Sequence, residues 1–315
     1  MSPKLVCAAL VLAVGLPAWG WNAVGHRAVA GLAYDNLSKK ARSRVDELIK
    51  RHPDYKQLIE GAPADGKQRA RYAFMKAAVW PDTIKGDQRF YDEARRGAQA
   101  PATLAGFPNM KQHRNWHYIN VAFSTDGTRT PENSPTPNAL TELKRMLRTV
   151  GATPSDKPTE DDAVYVLPWL LHLVGDVHQP LHCATRNRKV QKDAQRRPMS
   201  DLVGNTVNVV GAYNLHAFWD DALGIVDSDT YVNQLIKVMT KQPKDQKPRT
   251  DPQTWIDEGF VVAKDAVYSF GNEGGAKDNP IQLDGAYVAK SREVARRRAA
   301  LGGRRLAAVL NEALK

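Results

Sequence analysis

Residues 171–182, LHLVGDVHQPLH, constrain this chain more than any other stretch. They hold three histidines and an aspartate within twelve residues, and the spacing matters more than the count. His172 and Asp176 stand four apart, so on a helix both side chains leave the same face one turn from each other. Pro180 cannot continue that helix, so the chain bends there and brings His182 back towards the same point. Imidazole and carboxylate converging in this way suit zinc, which takes nitrogen and oxygen ligands in tetrahedral geometry. A buried hydrogen-bonded His–Asp pair would explain one such turn equally well. The spacing recurs in NLHAFWD, where His216 and Asp220 are again four apart, and two such turns favour metal.

Near the start, Lys4, the apolar run 5–17 and Ala18-Trp19-Gly20 read as a secretory leader over residues 1–20, cleaved after Gly20. The run is short for spanning a bilayer, and no later stretch is long and apolar enough to do so. The expected mature domain is residues 21–315, secreted or periplasmic. Cleavage would remove Cys7 and leave Cys183 alone, so no intramolecular disulfide can form. Bound metal can serve as the missing staple. Hydrophobic residues make up 42% of the chain, enough for a substantial core, which argues against wholesale disorder. The formal charge of +11 favours polyanionic partners, nucleic acid or anionic lipid surfaces, without choosing between them.

Apolar periodicity predicts helices along most of the chain. One begins near Val24, a second is capped by Ser38 and runs to about Lys50, and a third spans 67–79 before Trp80-Pro81-Asp82. Residues 85–112 and 124–137 read as connections. Helices are expected over 138–149 and 160–178, the latter kinked or delayed by Pro168. A basic loop is expected over 184–205, then a short strand at 206–210 and a β-hairpin near 206–212. Further helices are expected at 216–223, 231–240, 252–270, 282–300 and 304–314. No repeat or linker divides the chain. The expected fold class is all-α, a single mainly helical domain.

All eight histidines lie in the mature region, and with Asp82, Asp176 and Asp220 they offer more ligands than one zinc can use. A multinuclear site is the economical reading. His52 precedes Pro53 and reads as a surface or capping residue. His113 reads as having no role at the site, and His178 as a support for the ligands.

Taken in order, Trp21, His26, Trp80-Pro81-Asp82, His117 in RNWHYIN, HLVGDVHQPLH and NLHAFWD resemble the secreted trinuclear-zinc nucleases. This S/P nuclease family comprises fungal single-strand nucleases, plant bifunctional nucleases and bacterial members, and it is related to zinc-dependent phospholipase C. The motifs cover roughly residues 21–220. The resemblance implies three zinc ions. Asp82, His117, His172 and Asp176 would hold one. Asp176, shared, would hold a second with His26 and the α-amino nitrogen and carbonyl oxygen of Trp21. His182, His216 and Asp220 would hold the third. An α-amino group has a pKa of about 7.7–8.0, so a free Trp21 amine can lose its proton to zinc near neutrality.

The resemblance also implies endonucleolytic hydrolysis of single-stranded DNA and RNA to 5′-phosphorylated products, with 3′-nucleotidase activity. Two ions sharing Asp176 would acidify a water, and Asp82 would orient it. Lys85 would stabilise charge on the transferring phosphate, making Asp82, Lys85 and Asp176 the catalytic residues. Tyr118 would stack on a splayed-out base. Asn120 stands where the family has an aspartate, which puts the base preference in doubt, since an amide donates as well as accepts. Asn205, in DLVGN, would make a second contact to base or phosphate, in a turn where Val203 replaces a glycine. The basic residues Arg186, Arg188, Lys189, Lys192, Arg196 and Arg197 would steer polyanions if exposed, while Arg296–Arg298, Arg304 and Arg305 read as plain surface. No protein partner is evident and a monomer is expected. The close rival is a zinc-dependent phospholipase C acting on phospholipid, alone or beside nuclease activity. A non-catalytic zinc-stapled binding protein is the other, and it would show closed four-ligand sites.

Overall fold

The apolar run 163–174 becomes the axis of the molecule. It lies in a helix, and its residues are buried on every side, as happens when a helix is enclosed by others. The computed structural model of the chain describes residues 20–131, 134–151, 160–192, 198–245, 248–271 and 274–315. The leader expected over residues 1–20 lies outside them except for Gly20. The helices in chain order are α1 (Ala23–Asp35), α2 (Lys39–Arg51), α3 (Tyr55–Leu58), α4 (Gly66–Ala77) and α5 (Trp80–Thr83), followed by α6 (Ala139–Val150) and the axial α7 (Glu160–Asp176). After these come α8 (Leu215–Asp220), α9 (Asp229–Thr240), α10 (Pro252–Val262) and α11 (Gly285–Ala313). The mainly helical, all-α class expected from the sequence is the one that forms.

Local chemistry explains where several helices start. The side chains of Asn22, Ser38, Asn138, Asn214 and Asp284 each accept a backbone N–H in the first turn of the helix that follows. α1 packs against α4, α7, α9 and α11, and α7 also receives α2, α5 and α6. Pro168 sits inside α7 and removes one backbone donor, yet the helix continues on both sides of it. No helix among the described residues is long and apolar enough to cross a membrane.

Three sequence expectations change. The helices expected at 282–300 and 304–314 form one helix, α11, running through Gly302 and Gly303. Glycine is a weak helix former, so the pair reads as a break. In place, a Cβ on Gly303 would lie 2.9 Å from the Val29 carbonyl oxygen, so its absence lets α11 approach α1.

The expected basic loop at 184–205 is largely sheet. β1 (Ala122–Ser124), β2 (Thr185–Lys192) and β3 (Pro198–Ser200) pair in that order, the first pair parallel and the second antiparallel. Strand pairing thus falls before the expected 206–212, where Val209 makes only an isolated bridge to Ile281. Gly204 and Gly211, with φ of +87° and +84°, turn the backbone on either side of that segment. Arg186 and Arg188 are buried in β2, with the Arg186 guanidinium 4.4 Å from the Tyr268 ring centre, so neither belongs to an exposed steering patch. Lys189 is exposed. The expectation for Lys192, Arg196 and Arg197 falls on side chains outside the described ones.

The carboxyl-terminal arginine cluster is not all surface. Arg298 and Arg305 are buried and both bind the Glu258 carboxylate, at 3.1 and 2.7 Å. Glu258 lies in α10, so sequence proximity gave no hint of the pairing.

Candidate metal centre

Six elements deliver side chains to one buried region. α7 presents His172 and Asp176 from one face, as their spacing requires. A 3-10 turn, Pro180–Cys183, begins at the proline and brings His182 back. Asp82 comes from α5, His117 from the 3-10 turn Arg114–His117, His26 from α1, and His216 with Asp220 from α8. All eight side chains are buried.

Asp176 is the hub. Its Oδ2 lies 3.0 Å from His117 Nδ1 and 3.1 Å from His172 Nε2, while Oδ1 lies 3.4 Å from His26 Nε2 and 3.7 Å from His182 Nδ1. Asp82 Oδ1 is 3.6 Å from His172 Nε2. His216 Nε2 and Asp220 Oδ2 are 3.6 Å apart. Ligand-capable atoms lie within 4.8 Å of one another in three groups: His26, Asp82 and His172; His117, His172 and Asp176; and His182, His216 and Asp220. The last is the third-ion set that the sequence resemblance implies. The other two divide the first- and second-ion residues differently, joining His26 to Asp82, and share His172.

Backbone carbonyls fix three of the rings. His172, His182 and His216 donate Nδ1–H to the carbonyl oxygens of Ala78, His117 and Val203, at 2.8, 2.6 and 2.7 Å. A carbonyl can only accept, so each neutral ring keeps its lone pair on Nε2, the arrangement that orients a metal ligand. His172 Nε2 and His117 Nδ1 face each other at 2.9 Å beside the same carboxylate oxygen. Two lone pairs cannot share that distance without a cation or proton between them. Both ring nitrogens of His26, the Nε2 atoms of His117 and His182, and Asp176 Oδ1 are buried without a hydrogen-bond partner. A buried carboxylate ringed by imidazoles with unused lone pairs fits metal coordination.

The electrostatics agree with that fit. Burial, then His172, pushes His26 down to about 4. Burial and Lys85 push His117 to about 3, and burial with His182 takes His216 to about 3. These rings are therefore neutral near pH 7 and free to ligate. Burial opposes ionisation of Asp82, but Lys85, His172, His117 and His26 outweigh it and hold the carboxyl near 2. Asp176 is held well below the usual range because His172 and His182, with hydrogen bonds from His117 and His172, overcome its burial. His172 itself is raised, since Asp176 and Asp82 outweigh its burial. Asp220 is pushed well up, by burial first and then by the neighbouring Asp221, Asp176 and Asp82 carboxylates.

Two glycines create the close approaches. A Cβ on Gly175 would lie 2.7 Å from His26 Nδ1, and His26 stacks on His172 with ring centres 3.8 Å apart. A Cβ on Gly20 would collide with Asp176 Oδ1 and meet His182 Cε1 at 3.1 Å. The backbone immediately before the fully buried Trp21 therefore lies against the hub carboxylate.

Lys85 joins the cluster, its Nζ 2.7 Å from Asp82 Oδ1 and 3.4 Å from His117 Nδ1. Tyr118 and Asn120 are half-buried just beyond His117, and the Asn120 Oδ1 atom is buried without a partner. Asn205 is half-buried; its Nδ2 donates to Leu202 O and its Oδ1 accepts from Asn214. Gln179 escaped the sequence reading. Its Nε2 donates to Asp220 Oδ1 at 2.8 Å and its Oε1 accepts from Leu181 N, tying the two His–Asp turns together. Its place inside HQPLH, between two histidines and a proline, was the available signal.

The other histidines lie apart. His52 is the capping residue at the end of α2, its N–H donating to Ile49 O, but it is buried rather than at the surface, 4.8 Å from Trp80 in edge contact, with Nδ1 accepting from Asp54 N. His113 is stacked on Trp116 and paired with Glu93, in line with a role in packing. His178 gives Nδ1–H to Val174 O and meets Arg305 through Nε2, on the side of α11 rather than the ligands.

Residues 21–315 match the family described as S1/P1 Nuclease. Endonuclease 2 of Arabidopsis thaliana is 28% identical over 311 residues, spanning 93% of this chain and 90% of that protein. Nuclease S1 of Aspergillus oryzae is 21% identical over 340 residues, spanning 98% and 97%.

Proposed function

This chain belongs to the S1/P1 nuclease family, and on that footing we propose that it is a secreted zinc-dependent endonuclease cutting single-stranded DNA and RNA to 5′-phosphorylated products, with 3′-nucleotidase activity. The observation that carries the reading is the buried convergence of four imidazoles on Asp176, with His216 and Asp220 beside it. Asp82, His117, His172 and Asp176 would hold one zinc, Asp176, His26 and the freed Trp21 amine and carbonyl a second, and His182, His216 and Asp220 a third. Bound zinc supplies a strongly acidified water and charge neutralisation at the phosphate and departing oxygen.

The chain's own groups do the remaining work. Lys85 places a cation beside Asp82, positioned to offset charge on the transferring phosphate. Asp82, held ionised near Lys85 and the imidazoles, would accept a hydrogen bond from the water and so orient it. Tyr118 offers a half-buried ring for base stacking, worth about 1–3 kcal/mol per base. Asn120, two residues beyond Tyr118, would meet a base edge, and the second N–H of the Asn205 amide would donate to base or phosphate. Stacking on Tyr118 needs an unpaired base, which favours single strands.

Export has a chemical purpose in this reading. Cleavage after Gly20 removes the residue packed against Asp176 and leaves the Trp21 amine in its place. The test uses protein beginning at Trp21, assayed on single-stranded DNA, RNA, duplex DNA, a 3′-mononucleotide and phosphatidylcholine. Each substrate is tried before and after EDTA and zinc readdition, with zinc counted by mass spectrometry. Three zincs and zinc-restored release of 5′-phosphorylated products from single strands are expected. Dominant turnover of phosphatidylcholine would replace the assignment with a phospholipase C, and zinc-loaded protein inert on every substrate would overturn it.

A further inference from the structure

The turn at residues 201–205 is held in a shape its side chains resist. Leu202 and Val203 have φ of +51° and +55°. Such angles are unusual for any non-glycine residue and strained for a β-branched one. Strain of this kind persists only where surrounding bonds over-determine the backbone.

Those bonds converge on one buried carboxylate. Asp201 is fully buried. Its Oδ1 accepts from Arg186 N at 3.0 Å, Thr185 Oγ1 at 3.2 Å and Gly204 N at 3.2 Å. Its Oδ2 accepts from Tyr268 Oη at 2.7 Å. Thr185 Oγ1 in turn accepts from Val203 N at 3.3 Å. The carboxylate therefore ties strand β2 and Tyr268 to both ends of the strained pair.

The turn meets the metal centre through Val203, and Asn205 Oδ1 accepts from Asn214, the residue that caps the helix carrying His216. Val203 O accepts the Nδ1–H of His216. Asn205, two residues on, bonds back to Leu202 O through both its backbone N and its Nδ2. We propose that Asp201 is a positioning residue for substrate recognition: it holds the Leu202–Val203 turn in the shape that presents Asn205 to the nucleotide. The proposal rests on the reading of Asn205 as a nucleotide contact.

The test is a double-mutant cycle on the mature, zinc-loaded protein, with Asp201→Ala, Asn205→Ala and the pair. It reads KM and kcat for a 3′-mononucleotide, affinity for a 5′-mononucleotide by calorimetry, zinc content and thermal unfolding. Asp201→Ala is expected to raise KM about tenfold, as losses of oriented polar contacts do, with kcat changed much less. The double variant should be no worse than Asn205→Ala alone, because the two act through one contact. If Asp201→Ala does not fold, Tyr268→Phe removes one of the four donors and should raise KM in the same direction, without additivity to Asn205→Ala. A folded, zinc-loaded Asp201→Ala or Tyr268→Phe with wild-type KM and affinity would overturn the inference, as would losses that multiply with Asn205→Ala. Wild-type protein that neither binds nor turns over nucleotide would instead overturn the underlying nuclease reading.

Discussion

Replacing Gly175 by alanine sets helix propensity against site geometry. Alanine is favoured over glycine inside a helix by about 0.8–1.0 kcal/mol, and Gly175 lies within α7. Propensity alone therefore predicts a more stable protein. The new Cβ, however, would lie 2.7 Å from His26 Nδ1 and 3.0 Å from His26 Cε1, well inside ordinary contact. The imidazole has to move, and its stacking on His172 at 3.8 Å restricts the retreat. Overpacking of this kind costs ~1–3 kcal/mol, which outweighs the propensity gain and leaves a net loss of up to ~2 kcal/mol. A reacting group misplaced by ~1 Å can lose about a hundredfold in rate. A shift of several tenths of an ångström in His26 should therefore lower kcat/KM by roughly ten- to a hundredfold and, on the proposed trinuclear reading, reduce bound zinc below three equivalents. Urea unfolding with and without zinc, zinc counting and turnover of single-stranded DNA read all three effects. A Gly175→Ala protein that is more stable than wild type, fully zinc-loaded and fully active would refute the argument.

Two further predictions concern parts of the molecule away from the ligands. Gly303→Ala should destabilise by about 1–3 kcal/mol despite its helical position, because the Cβ meets the Val29 carbonyl at 2.9 Å. Gly66→Ala, with nothing within 4 Å, should be neutral or slightly stabilising, and equal effects at the two sites in urea unfolding would contradict the packing account. Burial pushes His52 from 6.5 down to about 4. The unfolded chain binds that proton first, so the contribution is complete above pH 6.5 and drains away towards pH 4. Relative to His52→Asn, which keeps an acceptor for Asp54 N, wild type should lose ~3 kcal/mol over that window; parallel pH–stability curves would sink the assignment.

How legible a feature was in the sequence follows from the range of the interaction that makes it. The His172–Asp176 and His216–Asp220 pairs are set by one helical turn, and the return of His182 by one proline, so spacing alone exposed them. Helix starts at Ser38 and Asn138 were legible for the same reason, since a cap and the N–H that donates to it lie within three residues. Features that depend on a distant partner were not. Arg298 and Arg305 looked like surface charge until Glu258 arrived from α10. Arg186 looked like a steering residue until Tyr268 and Phe270 covered it. Gly302 and Gly303 looked like a break until His178 and α1, respectively, needed the space.

The candidate site contains both kinds of information, and they divide along chemical lines. Donor atoms that would meet a metal are side-chain atoms, so residue identity announces them. The groups that aim three of those rings are the backbone carbonyls of Ala78, His117 and Val203. Every residue carries a carbonyl, so no residue type marks these anchors. What makes each carbonyl useful is the local path of the chain: the end of α4 at Ala78, the end of a 3-10 turn at His117, and left-handed backbone at Val203. The first two follow from ordinary helix termination. The third runs against the preference of its own side chain, so it needs an external hold, and Asp201 with Thr185 and Tyr268 supplies the hydrogen bonds that provide one. A substitution at Ala78 that preserves the helix end should therefore leave His172 aimed and metal content unchanged, because the anchor there is a backbone atom set by local helix termination.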